Sequence, residues 1–151
     1  MKSHITSTTG RLALIIALTV ISIMPALAGE HPAYLRALSD LRAARWFIEH
    51  HPANNWKQSE DEAGAIKSID AAINEIKRAA IDDGKNINEH VPVQEINERV
   101  GRLRKALEML RKTRADVNKE EDNNFAKGLK MRALRHIDEA IGLTERAIQA
   151  K

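Results

Sequence analysis

The sequence predicts an all-α protein, an up-down-up-down four-helix bundle that follows a cleaved signal peptide. Three observations carry that expectation. The chain has 151 residues with only seven glycines and four prolines, too few for a turn-rich β-sandwich. Beyond Pro32 the apolar residues recur three and four apart in four separate segments, the period of a helix with one buried face. The first 28 residues obey a different rule, with one continuous apolar run.

That run, Leu12 to Ile23, is preceded by Lys2 and Arg11 and followed by Pro25 and the small-residue tripeptide Ala26-Leu27-Ala28. Cationic start, apolar middle and small residues at the end are the parts of a secretory signal, with cleavage expected after Ala28. The run is shorter than the ~20 residues of a membrane-spanning helix. No cysteine follows to take a lipid, and no twin arginine precedes it. The sequence therefore divides into a signal peptide, 1–28, and one bundle domain, 29–151, exported to the periplasm or secreted, with no stable membrane insertion after cleavage.

The first helix is expected over about 32 to 50, with Tyr34, Leu38, Leu41, Arg45 and Ile48 on its stripe. Pro32 suits a first turn, and Pro52-Ala53-Asn54-Asn55 ends the segment. The second opens on Ser59-Glu60-Asp61-Glu62, a capping box in which Ser59 and Glu62 satisfy each other's free amides. Its stripe is Ile66, Ile69, Ile73, Ile76 and Ala80, and Gly84 fits a left-handed stop. The third, about 93 to 117, carries Val93, Ile96, Val100, Leu103, Leu107, Leu110, Arg114 and Val117. The fourth starts near Asp122, a candidate N-cap, and shows Phe125, Leu129, Ala133, Ile137, Ala140, Thr144 and Ala147. Antiparallel neighbours joined by short connections give the bundle, as a monomer or as a homodimer of hairpins that completes its core by pairing.

Charge and composition then exclude function classes. Lys2 and Arg11 leave with the leader, so 24 basic residues become 22 against an unchanged 21 acidic, a net charge near +1. Nucleic-acid binding loses its electrostatic support, and the basic residues between Arg99 and Arg114 are interleaved with Glu108 and lack an aromatic stacking platform. With no cysteine there is no disulfide, thiolate metal site or cysteine nucleophile. No Gly-x-Ser-x-Gly elbow and no phosphate-binding glycine loop occurs, so the expectation is a protein that is not an enzyme.

Candidate binding residues remain. A paired Glu-x-x-His di-iron motif is missing, and no cofactor is predicted. A looser divalent-metal site is conceivable where the expected topology places His31 and His90 beside Asp82 and Asp83. The same topology gathers His50, His51, Glu60, Asp61, Glu62, Asp116, Glu120, Glu121 and Asp122 at the opposite end. His136 lies inside helix 4 at a core-flanking position, either as an interior ligand or as a boundary side chain bonded to a carboxylate of a neighbouring helix. Arg45 and Arg114 occupy stripe positions expected near one end with Glu62 across from them, as an ion-pair network or an anion pocket. Trp46, off its stripe, and Trp56, in a loop, are candidate anchors for a partner or a lid over the bundle end.

The strings from His31-Pro32-Ala33-Tyr34-Leu35 through Ala44-Arg45-Trp46 and from Glu75-Ile76-Lys77-Arg78 through Asp82-Asp83-Gly84-Lys85-Asn86 resemble those of an uncharacterised family of small exported bacterial all-helical proteins. Glu120-Glu121-Asp122-Asn123 fits the same pattern. The resemblance implies a bacterial host and an all-helical fold, and carries no activity. The functional expectation is a non-catalytic binding or interaction module for a protein or small molecule of the cell envelope; the alternative is a periplasmic divalent-metal-binding or metal-stress protein.

Overall fold

The computed structural model describes residues 32–50, 57–81, 93–120 and 124–150. Within them the chain forms four helices and no strand: α1 (Pro32–Glu49), α2 (Glu60–Ile81), α3 (Arg99–Lys119) and α4 (Asn124–Gln149). The all-α four-helix arrangement is thus the one expected. The signal peptide, and with it the cleavage site and the route of export, lies outside the described residues.

Local chemistry accounts for the helix starts. At α2 the capping box forms as read: Ser59 N donates to Glu62 Oε2 at 2.8 Å and Glu62 N donates to Ser59 Oγ at 3.2 Å. Glu60, Asp61 and Glu62 put three carboxylates in that first turn, where the helix dipole favours negative charge. At the other end of the bundle the free amide of Ala33 in α1 donates to Glu120 Oε1, 2.7 Å away, so the residue that follows α3 caps the start of α1.

The order of helix directions differs from the expectation. Asp61 faces Arg146, Gly64 faces Leu143 and Glu75 faces Arg132, so α2 and α4 are antiparallel in one uninterrupted register. Asp40 with Lys112, and Ala33 with Glu120, set α1 antiparallel to α3. The pairs Arg45–Asp70 and Arg114–Asp138 do the same for the α1–α2 and α3–α4 hairpins. The helices are therefore up-down-down-up. The two larger interfaces are α2 on α4 and α1 on α3; α1 and α4 sit across one diagonal and α2 and α3 across the other. Between the end of α2 and the start of α3 the chain therefore has to return the length of α2, about 33 Å, which the extended reach of residues 82–98, about 56 Å, allows. A short up-down connection would not.

That return also corrects the third helix, which begins at Arg99 rather than near 93. Val93 and Ile96 lie before it and still pack on the core. Ile96 folds back over the first turn so closely that a Cβ on Gly101 would stand 3.1 Å from Ile96 Cγ2. The buried face of α3 is Arg102, Leu103, Ala106, Leu110, Thr113 and Val117; of the expected stripe Leu103, Leu110 and Val117 lie on it, whereas Val100, Leu107 and Arg114 do not. Small residues let α3 approach its neighbours on that side. The core is otherwise aliphatic and alanine-rich, with Tyr34, Leu38, Leu41, Phe47 and Ile48 of α1 against Leu103, Ala106, Leu110 and Val117 of α3. Ala65, Ile69, Ala72 and Ile76 of α2 face Ala133, Ile137, Ala140 and Thr144 of α4.

One polar network is sealed into the end where α2 and α3 begin. Glu62 is fully buried; besides Ser59 N, its carboxylate accepts from Arg99 Nε at 3.1 Å. The side chain of Arg102 turns back to donate to Asn97 O at 2.8 Å. Burial pushes the Arg102 guanidinium below its ordinary value, with Glu62 opposing. These contacts fasten the last residues of the long connection to the first turns of both down-running helices.

Candidate functional site

The new topology redistributes the sequence candidates. Glu60, Asp61, Glu62 and His50 share one end, whereas Asp116 and Glu120 belong to the other, so the nine-residue acidic and histidine cluster expected at a single end does not assemble. His31, His90, Asp82, Asp83, His51, Glu121, Asp122 and Trp56 lie outside the described residues. Among the described residues no group of three or more His, Asp or Glu side chains is placed to hold a metal ion. No helix among them is long and apolar enough to cross a membrane.

Arg45 and Arg114 do not form one anion pocket. Arg45 faces α2, donating from Nε to Asp70 Oδ1 at 2.9 Å and pairing with Glu49 one turn on. Arg114 faces α4 and grips Asp138 through both Nε and Nη2. Each is satisfied by carboxylates on its own seam. Burial lowers and the two carboxylates raise the Arg45 guanidinium, for a net rise; the hydrogen bonds that Arg114 donates to Asp138 raise its own. Glu62, expected across from them, is taken by Arg99 instead. The network with Glu62 does not form either: the two arginines make separate, partly exposed ion pairs.

Trp46 is part of the fold rather than a free anchor. Half-buried against the core, it meets Phe47 edge-on with centroids 5.3 Å apart and stacks on His50 at 4.3 Å, their planes 12° apart. The last turn of α1 is closed by this stack.

His136 is the sequence candidate that opens onto a recess. A groove of about 330 Å³ runs along the outside of the α2–α4 seam. Its α2 wall is Gly64, Lys67, Ser68 and Ala71; His136, Glu139 and Leu143 form the α4 wall. The recess exists because α2 presents small side chains where larger ones would fill the space. Leu143 leans over Gly64, where an added Cβ would stand 3.2 Å from Leu143 Cδ2. His136 is half-buried; Glu139 of its own helix stands 3.8 Å away, from Nδ1 to Oε2, and Glu75 of the facing helix senses its charge without an ion pair. That distance is an electrostatic contact beyond hydrogen-bond range.

Ion pairs flank this groove, and none is closed across it. The seam is closed above it by Asp61–Arg146 at 3.0 Å and below it by Glu75–Arg132, whose Nη2 and Oε2 also stand 3.0 Å apart in an ion contact too bent for a good hydrogen bond. The contact with Arg132, opposed by burial, holds the Glu75 carboxyl below its ordinary value, and the charges of Arg132, Arg78 and His136 act the same way. Between these clasps the Lys67 ammonium and the Glu139 carboxylate stand on opposite walls without closing on each other, and Lys67 has no ion pair among the described residues. Ser68 is only 6% exposed, and its hydroxyl has no hydrogen-bond partner among them. Sequence reasoning singled out His136 but missed Lys67, Ser68 and Glu139. The available signal was the Gly64-x-x-x-Ser68-x-x-Ala71 row of small residues on α2.

A larger recess of about 560 Å³ lies by the α3–α4 turn, between Lys119, Glu120, Lys127, Lys130 and the exposed Met131. Two of its polar groups already serve the fold: Lys130 Nζ donates to the Glu120 carbonyl, and the Glu120 carboxylate caps α1. We therefore place the candidate site in the smaller groove.

No family model, no curated protein and no solved structure matches this chain. The fold and the groove thus carry the functional argument by themselves.

Proposed function

We propose that this chain is an exported, non-catalytic binding protein of a bacterial envelope, and that its binding site is the groove between α2 and α4. The observation that carries the reading is the set of unclosed polar groups in one apolar-walled recess: Lys67 and Glu139 on opposite walls, the Ser68 hydroxyl between them at the groove surface, and half-buried His136. The groove lies at the small end of ligand sites, ~300–1,000 Å³, and suits a small molecule more than a protein segment. A non-catalytic role fits the absence of a serine elbow and of a phosphate loop in the sequence. Export rests on the leader-like first 28 residues and on the resemblance of the two long strings to small exported bacterial helical proteins.

Native mass spectrometry of the mature protein, recovered without a metal-affinity tag from the periplasm of its host, tests this reading. The expected result is a chain that begins at Gly29 and carries a small-molecule adduct, with the adduct lost in Ala71→Leu, which fills the groove while leaving the helical circular dichroism unchanged. An adduct retained by Ala71→Leu would move the site elsewhere. An adduct with the mass of zinc, copper or nickel would replace this reading with the metal-binding alternative and direct mutagenesis to His31 and His90.

A further inference from the structure

We infer that the ligand of the α2–α4 groove is a small zwitterion of the amino-acid kind, one that carries an anionic and a cationic group a few ångströms apart and an apolar side chain. The inference rests on the binding reading above and names its ligand class. Two pairs of facing charges close the α2–α4 seam on either side of the groove, Asp61 with Arg146 and Glu75 with Arg132, and none closes it over the groove. There one wall supplies a cation, Lys67, and the other an anion, Glu139, which do not meet. A ligand with both charges completes the interrupted pairing: its carboxylate accepts from the Lys67 ammonium and the Ser68 hydroxyl, and its ammonium donates to Glu139. A singly charged ligand would leave one of the two facing a recess that it partly dehydrates, which costs binding.

The rest of the groove fits the remainder of such a molecule. Leu143, Ala71 and the open face of Gly64 offer an apolar surface beside the charged pair. His136 stands one turn from Glu139 and holds its imidazole against that carboxylate. It positions Glu139 and offers its other ring nitrogen to the ligand carboxylate.

The test uses three probes of one shape on the full mature chain: leucine, which has both charges; N-acetylleucine, which keeps only the anion; and leucinamide, which keeps only the cation. Titrations followed by ¹H–¹⁵N and His136 imidazole signals are expected to show leucine shifting the resonances of Ser68, Ala71 and His136, and binding about threefold to tenfold tighter than either analogue, because each lost contact is a partly exposed charge-assisted hydrogen bond. Lys67→Met should erase the preference for leucine over leucinamide, and Glu139→Gln the preference over N-acetylleucine; both positions are exposed enough for the variants to fold. If either analogue binds as well as leucine, the zwitterion inference is overturned while the groove remains a binding site. If none of the three moves the groove signals although the adduct of the native protein depends on Ala71, the ligand class is wrong and the binding reading survives. Shifts confined to residues outside the groove would overturn both.

Discussion

The two large seams of this bundle are antiparallel in the same way and yet are finished differently. Along α1–α3 the interior is filled by Leu38, Leu41, Phe47 and Ile48 against Leu103, Leu110 and Val117, and the rim is closed by Asp40 with Lys112 and by Glu120 on Ala33 N. Along α2–α4 the interior is mostly alanine and isoleucine, and the rim opens at Gly64, Ser68 and Ala71 into the groove beside His136. One seam does the structural work of large side chains; the other gives up rim volume and keeps unclosed charges in its place. A protein that needed only to fold would have little reason to finish its seams so unequally.

The comparison breaks most visibly under the same substitution on the two sides. Leu41→Ala removes a fully buried side chain from the filled seam and is expected to cost about 3–4 kcal/mol. Leu143→Ala, at the groove wall where the side chain is already half solvated, is expected to cost about 1 kcal/mol. Urea midpoints of the two variants should differ accordingly, and equal losses would mean that Leu143 is core rather than wall.

The next effect comes from the network that locks the long connection. Glu62→Ala removes the buried carboxylate that accepts from Ser59 N and from Arg99 and whose charge supports buried Arg102, at a cost of about 3 kcal/mol. Lys112→Ala, which breaks an exposed rim pair on the filled seam, should cost less than about 1 kcal/mol. Thermal melts of the pair distinguish a lock from an ornament: if Glu62→Ala melts like Lys112→Ala, the connection is held by packing of Val93 and Ile96 alone.

Acid sharpens the contrast further. The Glu75 carboxyl is held below its ordinary value of 4.5, chiefly by Arg132, so its folded form releases its proton more readily than its unfolded form. The stabilisation is therefore complete above pH 4.5 and is lost as pH falls through the lower folded value. Glu75→Gln should show a flatter stability profile than the parent below pH 4.5 and the same slope above pH 6. The same slope in both proteins throughout would show that Arg132 lies too far into solvent to matter.

How much of this was legible in the chain depends on distance along it. The α2 capping box could be read from Ser59 and Glu62 because both partners lie in one turn, and the α1 stripe because its period is local. The up-down-down-up order could not, since it turns on whether residues 82–98 cross a short gap or return along the bundle, and composition does not decide between these. The face of α3 was legible only in part, for a related reason: Leu103, Leu110 and Val117 of its stripe are buried, but Arg102, Ala106 and Thr113 complete the face in place of Val100, Leu107 and exposed Arg114. Counting only large side chains hides an interface built on alanine and threonine. His136 was visible as a core-flanking histidine, but its setting was not, because a groove is an absence of side chains on the facing helix.

Two glycines test that last point with the smallest expected effect. Gly142 and Gly64 lie on the two helices of the open seam, and both pay the backbone cost of glycine in a helix, about 1 kcal/mol relative to alanine. A Cβ on Gly142 meets nothing within 4 Å, so Gly142→Ala should stabilise the bundle by most of that amount. At Gly64 the new methyl would stand 3.2 Å from Leu143 Cδ2, the far end of a flexible side chain that must swing outward and uncover apolar surface. The helix gain and the loss at Leu143 then nearly cancel, and Gly64→Ala should change stability by less than about 0.5 kcal/mol. It should nevertheless weaken leucine binding, since the displaced Leu143 and the methyl both occupy the groove. A Gly64→Ala variant stabilised as much as Gly142→Ala, with binding intact, would mean that this glycine is incidental, and the unequal finish of the two seams would need another cause.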